Sequence, residues 1–273
     1  MERISKAIEL AKSEGAALGI ADPHVRRPIP LAELSNTASH SALSVEILSE
    51  AHLEASRIVA HQSSNPMTPA FDVLRTSLLQ EMDSHGWQTL VISSPSQSCG
   101  KTVLAINLAL SMARVPGRQI VLFDLDLRRP QVAAYLGLKR EKGLHQLLSN
   151  ATTLNDYMTN ISVASAQLRV IPNRMPISNP AEVIGSTEMK ALLSRLKSDP
   201  RKPIVIIDTP PMLACDDVLA LLPQIDCLIL AIAERISTAA EVSACERLLK
   251  STNYLGLALT KSEERTENYY YGL

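Results

Sequence analysis

Residues 88–102 read Gln88-Thr-Leu-Val-Ile-Ser-Ser-Pro-Ser-Gln-Ser-Cys-Gly-Lys-Thr102, and this stretch decides the fold. An apolar run, Leu90 to Ile92, enters a loop of small residues. The loop ends in Gly100-Lys101-Thr102, and an apolar helix follows at once from Val103 to Met112. Strand, loop and helix in that order make a cradle for phosphate. The loop amides and the positive helix end face an anion, the lysine reaches the outer phosphates, and the threonine hydroxyl can ligate Mg²⁺. The common pattern has a glycine five residues before Gly100, and Pro95 stands there. Alone, Gly-Lys-Thr is equally an ordinary helix start with an exposed lysine, so the flanking sequence has to decide.

Beyond Thr102 strand and helix signals alternate. Apolar strands are expected at Gln119–Asp124, Leu168–Ile171, Ile204–Asp208, Cys227–Ile232 and Leu255–Thr260, with helices at 131–136, 187–197, 216–222 and 238–250. Near-continuous apolar strands separated by helices indicate a parallel sheet covered on both faces. Such sheets bind ligands at the carboxyl ends of their strands. One strand leads into the Lys101 loop, and two others end in Asp124 and Asp208. Asp208 is expected to help hold Mg²⁺, an ion that takes few carboxylates together with phosphate oxygens. In the extended segment Asp124-Leu-Asp126-Leu-Arg128-Arg129-Pro130, alternate side chains point the same way, so Asp124 and Asp126 are expected to face together. One would position the ion and the other accept a proton from an attacking hydroxyl, while Arg128 and Arg129 neutralise phosphate charge.

Size and charge narrow the classes. A chain of 273 residues buries about three quarters of its unfolded surface, enough for one α/β domain plus an extension. Basic and acidic residues nearly cancel, 27 against 28, and no Lys/Arg run stands out. That argues against nucleic acid as the main partner. Cys99, Cys215, Cys227 and Cys245 have neither metal-like nor paired spacing and suit a reducing cytoplasm. The longest apolar candidate, Val218 to Ala233, is broken by Pro223 and Asp226, and the first residues lack an apolar signal core. A membrane role would then need an anchor from a partner.

The first 65 residues read as an extension. Residues 1–18 are expected to form a helix, either packed on its own domain or used for docking, and 19–42 a linker rich in Pro, Ser and His. Residues 43–62 are expected to be helical, with Leu43, Ile47, Ala51, Ala55 and Ile58 on one face. A further helix over 69–83 starts at Pro69 and carries Phe71, Leu74, Leu78 and Met82 inward.

At these residues the chain resembles the bacterial tyrosine kinases (BY-kinases), the autokinases of capsule and exopolysaccharide export. Ser93–Thr102, Val121–Pro130 and Ile204–Pro211 look like their Walker A, A′ and B motifs, and Leu74-Arg75-Thr76, Asn179-Pro180-Ala-Glu182 and Cys215-Asp216-Asp217-Val218 also fit. The likeness covers residues 68–271. It implies a doubly wound, mainly parallel α/β P-loop domain over residues 66–262, an N-terminal helical extension over 1–65, and a tyrosine-bearing tail over 263–273. It also implies ATP and Mg²⁺ as cofactors. Ser98, Cys99, Gly100, Lys101, Thr102 and Val103 would wrap the phosphates. Thr102, Asp126 and Asp208 would organise the metal, and Asp124 would be the base. Tyr269, Tyr270 and Tyr271 would be the acceptors, phosphorylated by a neighbouring copy, and a membrane-spanning co-polymerase would activate the chain at the inner membrane. The chain departs from the family in three places. Ser98 stands for a loop glycine, Pro69 and Asp72 stand where the ring-forming helix carries charged residues ahead of Arg75, and Thr260 stands for an asparagine. Two other readings remain: a ParA/MinD-like ATPase switch, whose loop would carry an extra early lysine, and a nucleotide-binding adaptor without turnover.

Overall fold

The computed structural model describes residues 45–139, 144, 148, 154 and 157–262. The expected helix 1–18, the linker 19–42 and the tyrosine-bearing segment 263–273 lie outside the described residues. The chain divides after residue 43, and the described residues all lie beyond that point.

Among the described residues eight strands form one sheet. In chain order the elements are β1 (Val45–Ile47), α1 (Glu50–Ala55), α2 (Thr68–His85), β2 (Thr89–Ser93), α3 (Lys101–Ala113), β3 (Ile120–Asp124), α4 (Val132–Leu136), β4 (Thr159–Val163), β5 (Ala166–Ile171), α5 (Pro180–Gly185), α6 (Thr187–Lys197), β6 (Ile204–Asp208), α7 (Asp217–Leu221), a 3₁₀ turn (Leu222–Gln224), β7 (Cys227–Ala233), α8 (Ala239–Leu248) and β8 (Asn253–Thr260). The strand order is β1-β4-β5-β3-β6-β2-β7-β8. From β5 to β8 every pairing is parallel; β4 runs antiparallel to β5, and β1 runs parallel to β4. The expectation of a mainly parallel, doubly covered sheet therefore holds.

The apolar strands divide cleanly between two cores because side chains alternate faces along a strand. Leu90, Ile92, Leu122, Ile206 and Ile229 meet α1, α2, α3 and α4 on one face. Val91, Val121, Phe123, Val205, Ile207 and Leu228 meet α5, α6, α7 and α8 on the other. Helix α3 is buried along almost its whole length, from Thr102 to Met112. Its Asn107 and Ser111 are polar and fully buried, and each is committed to a specific partner. The Ser111 hydroxyl donates to Asp72 Oδ1 at 2.6 Å, and Arg75 and Arg114 pair with the same carboxylate. Asp72 and Arg75 of α2 are thus spent on clamping α2 to α3.

Two expectations fail in the N-terminal part. Residues 43–62 are not one helix. Val45–Ile47 is a strand on the sheet edge, and the helix that follows covers only Glu50–Ala55. Ile47, placed inward by helical spacing, is 83% exposed, while Leu53, outside that stripe, is fully buried. Ser49 explains the break, because its hydroxyl accepts from the His52 amide and starts a new helix there. The extension also does not end at residue 65: β1 pairs with β4, and Leu53, Ile58 and Ala60 sit in the core beside α3. Strand β4, Thr159-Asn-Ile-Ser-Val163, was not anticipated, although its buried Thr159, Ile161 and Val163 alternate with half-buried Asn160 and Ser162.

Candidate functional site

The register of three central strands assembles the site. Ile92 of β2 lies opposite Asp208 of β6, and Asp124 of β3 lies opposite Asp208 on its other side. The carboxyl ends of β2, β3 and β6 are therefore neighbours, and the loop that leaves β2 passes over both acids. That loop turns through left-handed backbone at Ser98 (φ 63°) and at Gly100 (φ 76°), which directly precedes α3. Serine at such an angle carries a strain of about 1 kcal/mol that glycine would not. No side chain caps α3 at Gly100, so its first amides remain available to an anion.

Lys101, Thr102, Asp126 and Asp208 meet in one chain of contacts. Lys101 Nζ donates to Asp126 Oδ2 at 2.8 Å and lies 3.4 Å from Thr102 Oγ1. The Thr102 hydroxyl donates to Asp208 Oδ2 at 2.7 Å. Asp208 Oδ1 is buried without a hydrogen-bond partner among the described residues. Unmet buried oxygens are rare, and this one points to a group that the site takes up. Around the loop lies a cavity of about 700 Å³, lined by Gln97–Val103, Asp126, Arg128, Arg129, Pro210, Cys215 and Lys261, among others. It is roomy enough for a nucleotide-sized ligand.

The expectation that Asp124 and Asp126 face together is not met. Asp126 lines the cavity. Asp124 is fully buried, and its two oxygens accept from the amides of Asp126 (3.2 Å) and Val132 (3.0 Å). These bonds fold the Asp124 side chain back on its own loop. Burial, reinforced by the Asp208 charge, pushes its carboxyl well above the ordinary carboxylate range. An acid sealed from the cavity, with both oxygens already engaged by amides, is poorly placed to accept a proton from a substrate.

Elsewhere the electrostatics favour charge where a phosphate would need it. Burial acts against the Lys101 ammonium, but the carboxylates of Asp208 and Asp126 outweigh it and keep the amine charged. Burial raises Asp208 to about 6, against the pull of Lys101 and Thr102. Among the described residues no three His, Cys, Asp or Glu side chains form a ready metal cage. The set that fits Mg²⁺ is therefore the Thr102 hydroxyl and the Asp208 carboxylate, with the remaining ligands coming from phosphate and water. Asp126, expected as a third metal organiser, is instead taken up by Lys101.

Three contacts of residues already noted in the sequence were not anticipated. Asp217, fully buried at the start of α7, holds the Arg128 guanidinium through two bonds of 2.9 Å. Arg129 Nη1 donates to Gln97 Oε1 at 3.1 Å and bridges the A′ segment to the phosphate loop. The Thr260 hydroxyl donates to the Cys99 carbonyl at 2.6 Å and braces the loop from the β8 side. The residues had a visible signal, but each contact joins segments far apart in sequence, so the pairing did not.

Comparison with known proteins follows the same lines. Residues 88–253 match the AAA domain family AAA_31. The chain belongs to this family. A putative tyrosine-protein kinase EpsB of Ralstonia nicotianae is 25% identical over 96% of this chain, which spans 37% of that relative. The kinase domain of the Escherichia coli tyrosine kinase ETK is 28% identical with a TM-score of 0.65, covering 75% of this chain and 80% of that domain. The chimeric protein CapA2B2 is 26% identical with a TM-score of 0.68, covering 81% of this chain and 96% of the chimera. The resemblance to the BY-kinases drawn from Ser93–Thr102, Val121–Pro130 and Ile204–Pro211 is borne out by these matches. Among the described residues no helix is long and apolar enough to cross a membrane.

Proposed function

We propose that this chain is an ATP-dependent protein-tyrosine kinase domain that phosphorylates Tyr269, Tyr270 and Tyr271 and through them regulates polymerisation and export of an exopolysaccharide. The contact chain Lys101–Asp126 and Thr102–Asp208 beside an unpartnered Asp208 oxygen carries the reading. It gathers an ammonium, a hydroxyl and two acids at the uncapped start of α3.

Each residue then has a task. The α3 amides and Lys101 take the phosphate chain, and Thr102 and Asp208 hold Mg²⁺. When bound, that ion neutralises charge on the phosphate oxygens. Once Lys101 turns to phosphate, Asp126 keeps the Arg129 amide on Oδ1 at 3.0 Å and turns a freed Oδ2 to the cavity. Asp126, rather than Asp124, is then the group that takes the proton of the tyrosine hydroxyl, whose ordinary pKa is about 10. Asp124 keeps the A′ loop in shape through its two amide bonds. The resemblance of residues 68–271 to the BY-kinases implies an activating partner of the membrane-spanning co-polymerase kind and a site of action at the inner face of the membrane.

The test is incubation with Mg-ATP and mass spectrometry of the 263–273 segment, alone and with its activator. Phosphotyrosine in the wild type and none in Lys101→Met supports the reading. Nucleotide turnover with no phosphotyrosine, activator present, overturns it.

A further inference from the structure

The cavity is lined by a cation that none of the nucleotide motifs contains. Arg57 lies just past α1, a segment read from sequence as mere extension. Its backbone is left-handed, φ 61°. The Ile58 amide bonds to the Leu53 carbonyl at 2.8 Å and the Arg57 amide to the Glu54 carbonyl at 2.9 Å, the double bond that closes a helix where glycine is the usual residue. An arginine there works against its own backbone. Backbone strain gathers where function over-determines a conformation, and three of the non-glycine residues with positive φ, Arg57, Ser98 and Lys261, line this one cavity.

The segment is also fixed to the phosphate-loop helix. Buried Asn107 of α3 accepts from the amides of Val59 (2.8 Å) and Ala60 (2.9 Å), and donates to the carbonyls of Arg57 (3.0 Å) and Val103 (2.9 Å). Arg57 is thereby held in the wall of the cavity that Asp126, Gln131 and Tyr135 also line, while Thr260 braces the loop from β8. Three other cations of the cavity wall are engaged: Lys101 by Asp126, Arg128 by Asp217, Arg129 by Gln97. Among the described residues Arg57 and Lys261 meet no carboxylate.

We infer that Arg57 is a specificity residue that recognises an acidic, tyrosine-bearing acceptor segment, and that residues 263–273 of this chain are such a segment. The inference rests on the kinase reading and names the acceptor chemistry of the same site. Glu263, Glu264 and Glu267 precede Tyr269, Tyr270 and Tyr271. Lys261, two residues ahead of Glu263 in sequence, lines the cavity. Eight residues of extended chain reach about 25 Å, enough to bring Tyr269 back to the mouth or into that of a second copy.

The test uses a fluorescent peptide with the sequence of residues 263–273, and a second peptide with its three glutamates changed to glutamine. Binding is read by anisotropy at low ionic strength with Mg-ADP present. The host is the full chain carrying Glu263→Gln, Glu264→Gln and Glu267→Gln, so that its own segment does not compete. The acidic peptide should bind more tightly than the neutral one. Arg57→Gly should weaken it by roughly two- to fivefold, the range of one partly exposed ion pair, and abolish the discrimination, while Arg57→Lys keeps most of it. Because glycine suits a left-handed residue, Arg57→Gly should unfold no earlier than the host, which separates lost recognition from lost structure. Equal binding of both peptides to the host, undiminished binding to Arg57→Gly, or a matching fall in Mg-ADP affinity overturns the inference. Peptide binding needs no phosphate transfer, so this outcome is separable from the mass-spectrometric test of the kinase reading.

Discussion

Changing Asn107 to alanine is a sharp test of how the segment ahead of α2 is attached. Asn107 is fully buried, and its side chain makes four hydrogen bonds of 2.8–3.0 Å to backbone groups. Two of the partners are amides, of half-buried Val59 and buried Ala60, which the segment itself does not satisfy. Leaving a buried donor unmet costs about 1–3 kcal/mol, so two amount to about 2–5 kcal/mol. The carbonyl partners add little, since Arg57 is exposed to water and the Val103 carbonyl lies within a helix. A domain of this size has about 5–15 kcal/mol in total, so the variant should fold but melt several degrees lower. Urea denaturation should show a lower midpoint with an unchanged slope, and hydrogen exchange at Ala60 should rise far more than at Leu122 in the sheet centre. A loss below about 1 kcal/mol, or equal loss of protection at both amides, would refute the reasoning, because it would mean that the 57–60 segment is held elsewhere.

Three other outcomes follow from the same coordinates. Ser98→Gly should stabilise the fold by up to about 1 kcal/mol by relieving a left-handed serine, with Mg-ATP affinity in calorimetry at least as strong as in the wild type. Lys101→Met should weaken Mg-ATP binding at least about tenfold, since it removes the one ammonium that the acids keep charged inside the site. Asp226 has its carboxyl pushed up by burial, but Lys197, at 2.6 Å, together with the amides of Gln88 and Thr89 outweighs this and holds it below the ordinary 3.8. A depressed folded value gives stability that is complete above the unfolded pKa and lost as pH falls through the folded one. Asp226→Asn should therefore cost stability at pH 7, and the gap from wild type should close below about pH 4 in urea melts.

Much of this was legible in the sequence because one physical signal carried it. Strands Thr89–Ser93, Ile120–Asp124 and Ile204–Asp208 have apolar centres and are buried on both sides; two end in Asp124 and Asp208, and the first leads into the Lys101 loop. Helix α6 coincides with its expected range because its apolar stripe and the Ser186 cap agree. Periodicity misled where apolar residues are sparse. Ile47 fell on a helical stripe by coincidence, and β4 was missed because three of its five residues are polar. The site was less legible than the fold. That Asp126 faces the cavity and Asp124 does not depends on amides of Asp126 and Val132 closing on Asp124, and alternation along an extended strand fails once the strand has ended. Arg57 was out of reach altogether, because its place depends on Asn107, fifty residues further on.

The constraint that makes the core also makes the site. Five consecutive residues of β3 pair with five of β6, from Ile120 opposite Ile204 to Asp124 opposite Asp208. A slip by one residue would send Leu122 and Ile206 into the wrong core and Val121 and Phe123 into the other, so every step is defended by apolar burial on both faces. The same slip would carry Asp124 past Asp208 and pull the Asp126 carboxylate away from Lys101. The acids therefore need no favourable mutual interaction to stay together, and like-charged side chains at adjacent strand ends would on their own repel. Their proximity is imposed by hydrophobic register and offset by Lys101, so a cation arriving beside Asp208 meets a site already assembled. Conservative core changes such as Phe123→Leu should for that reason lower stability by more than they alter nucleotide affinity, since the remaining register pairs still fix where the acids stand.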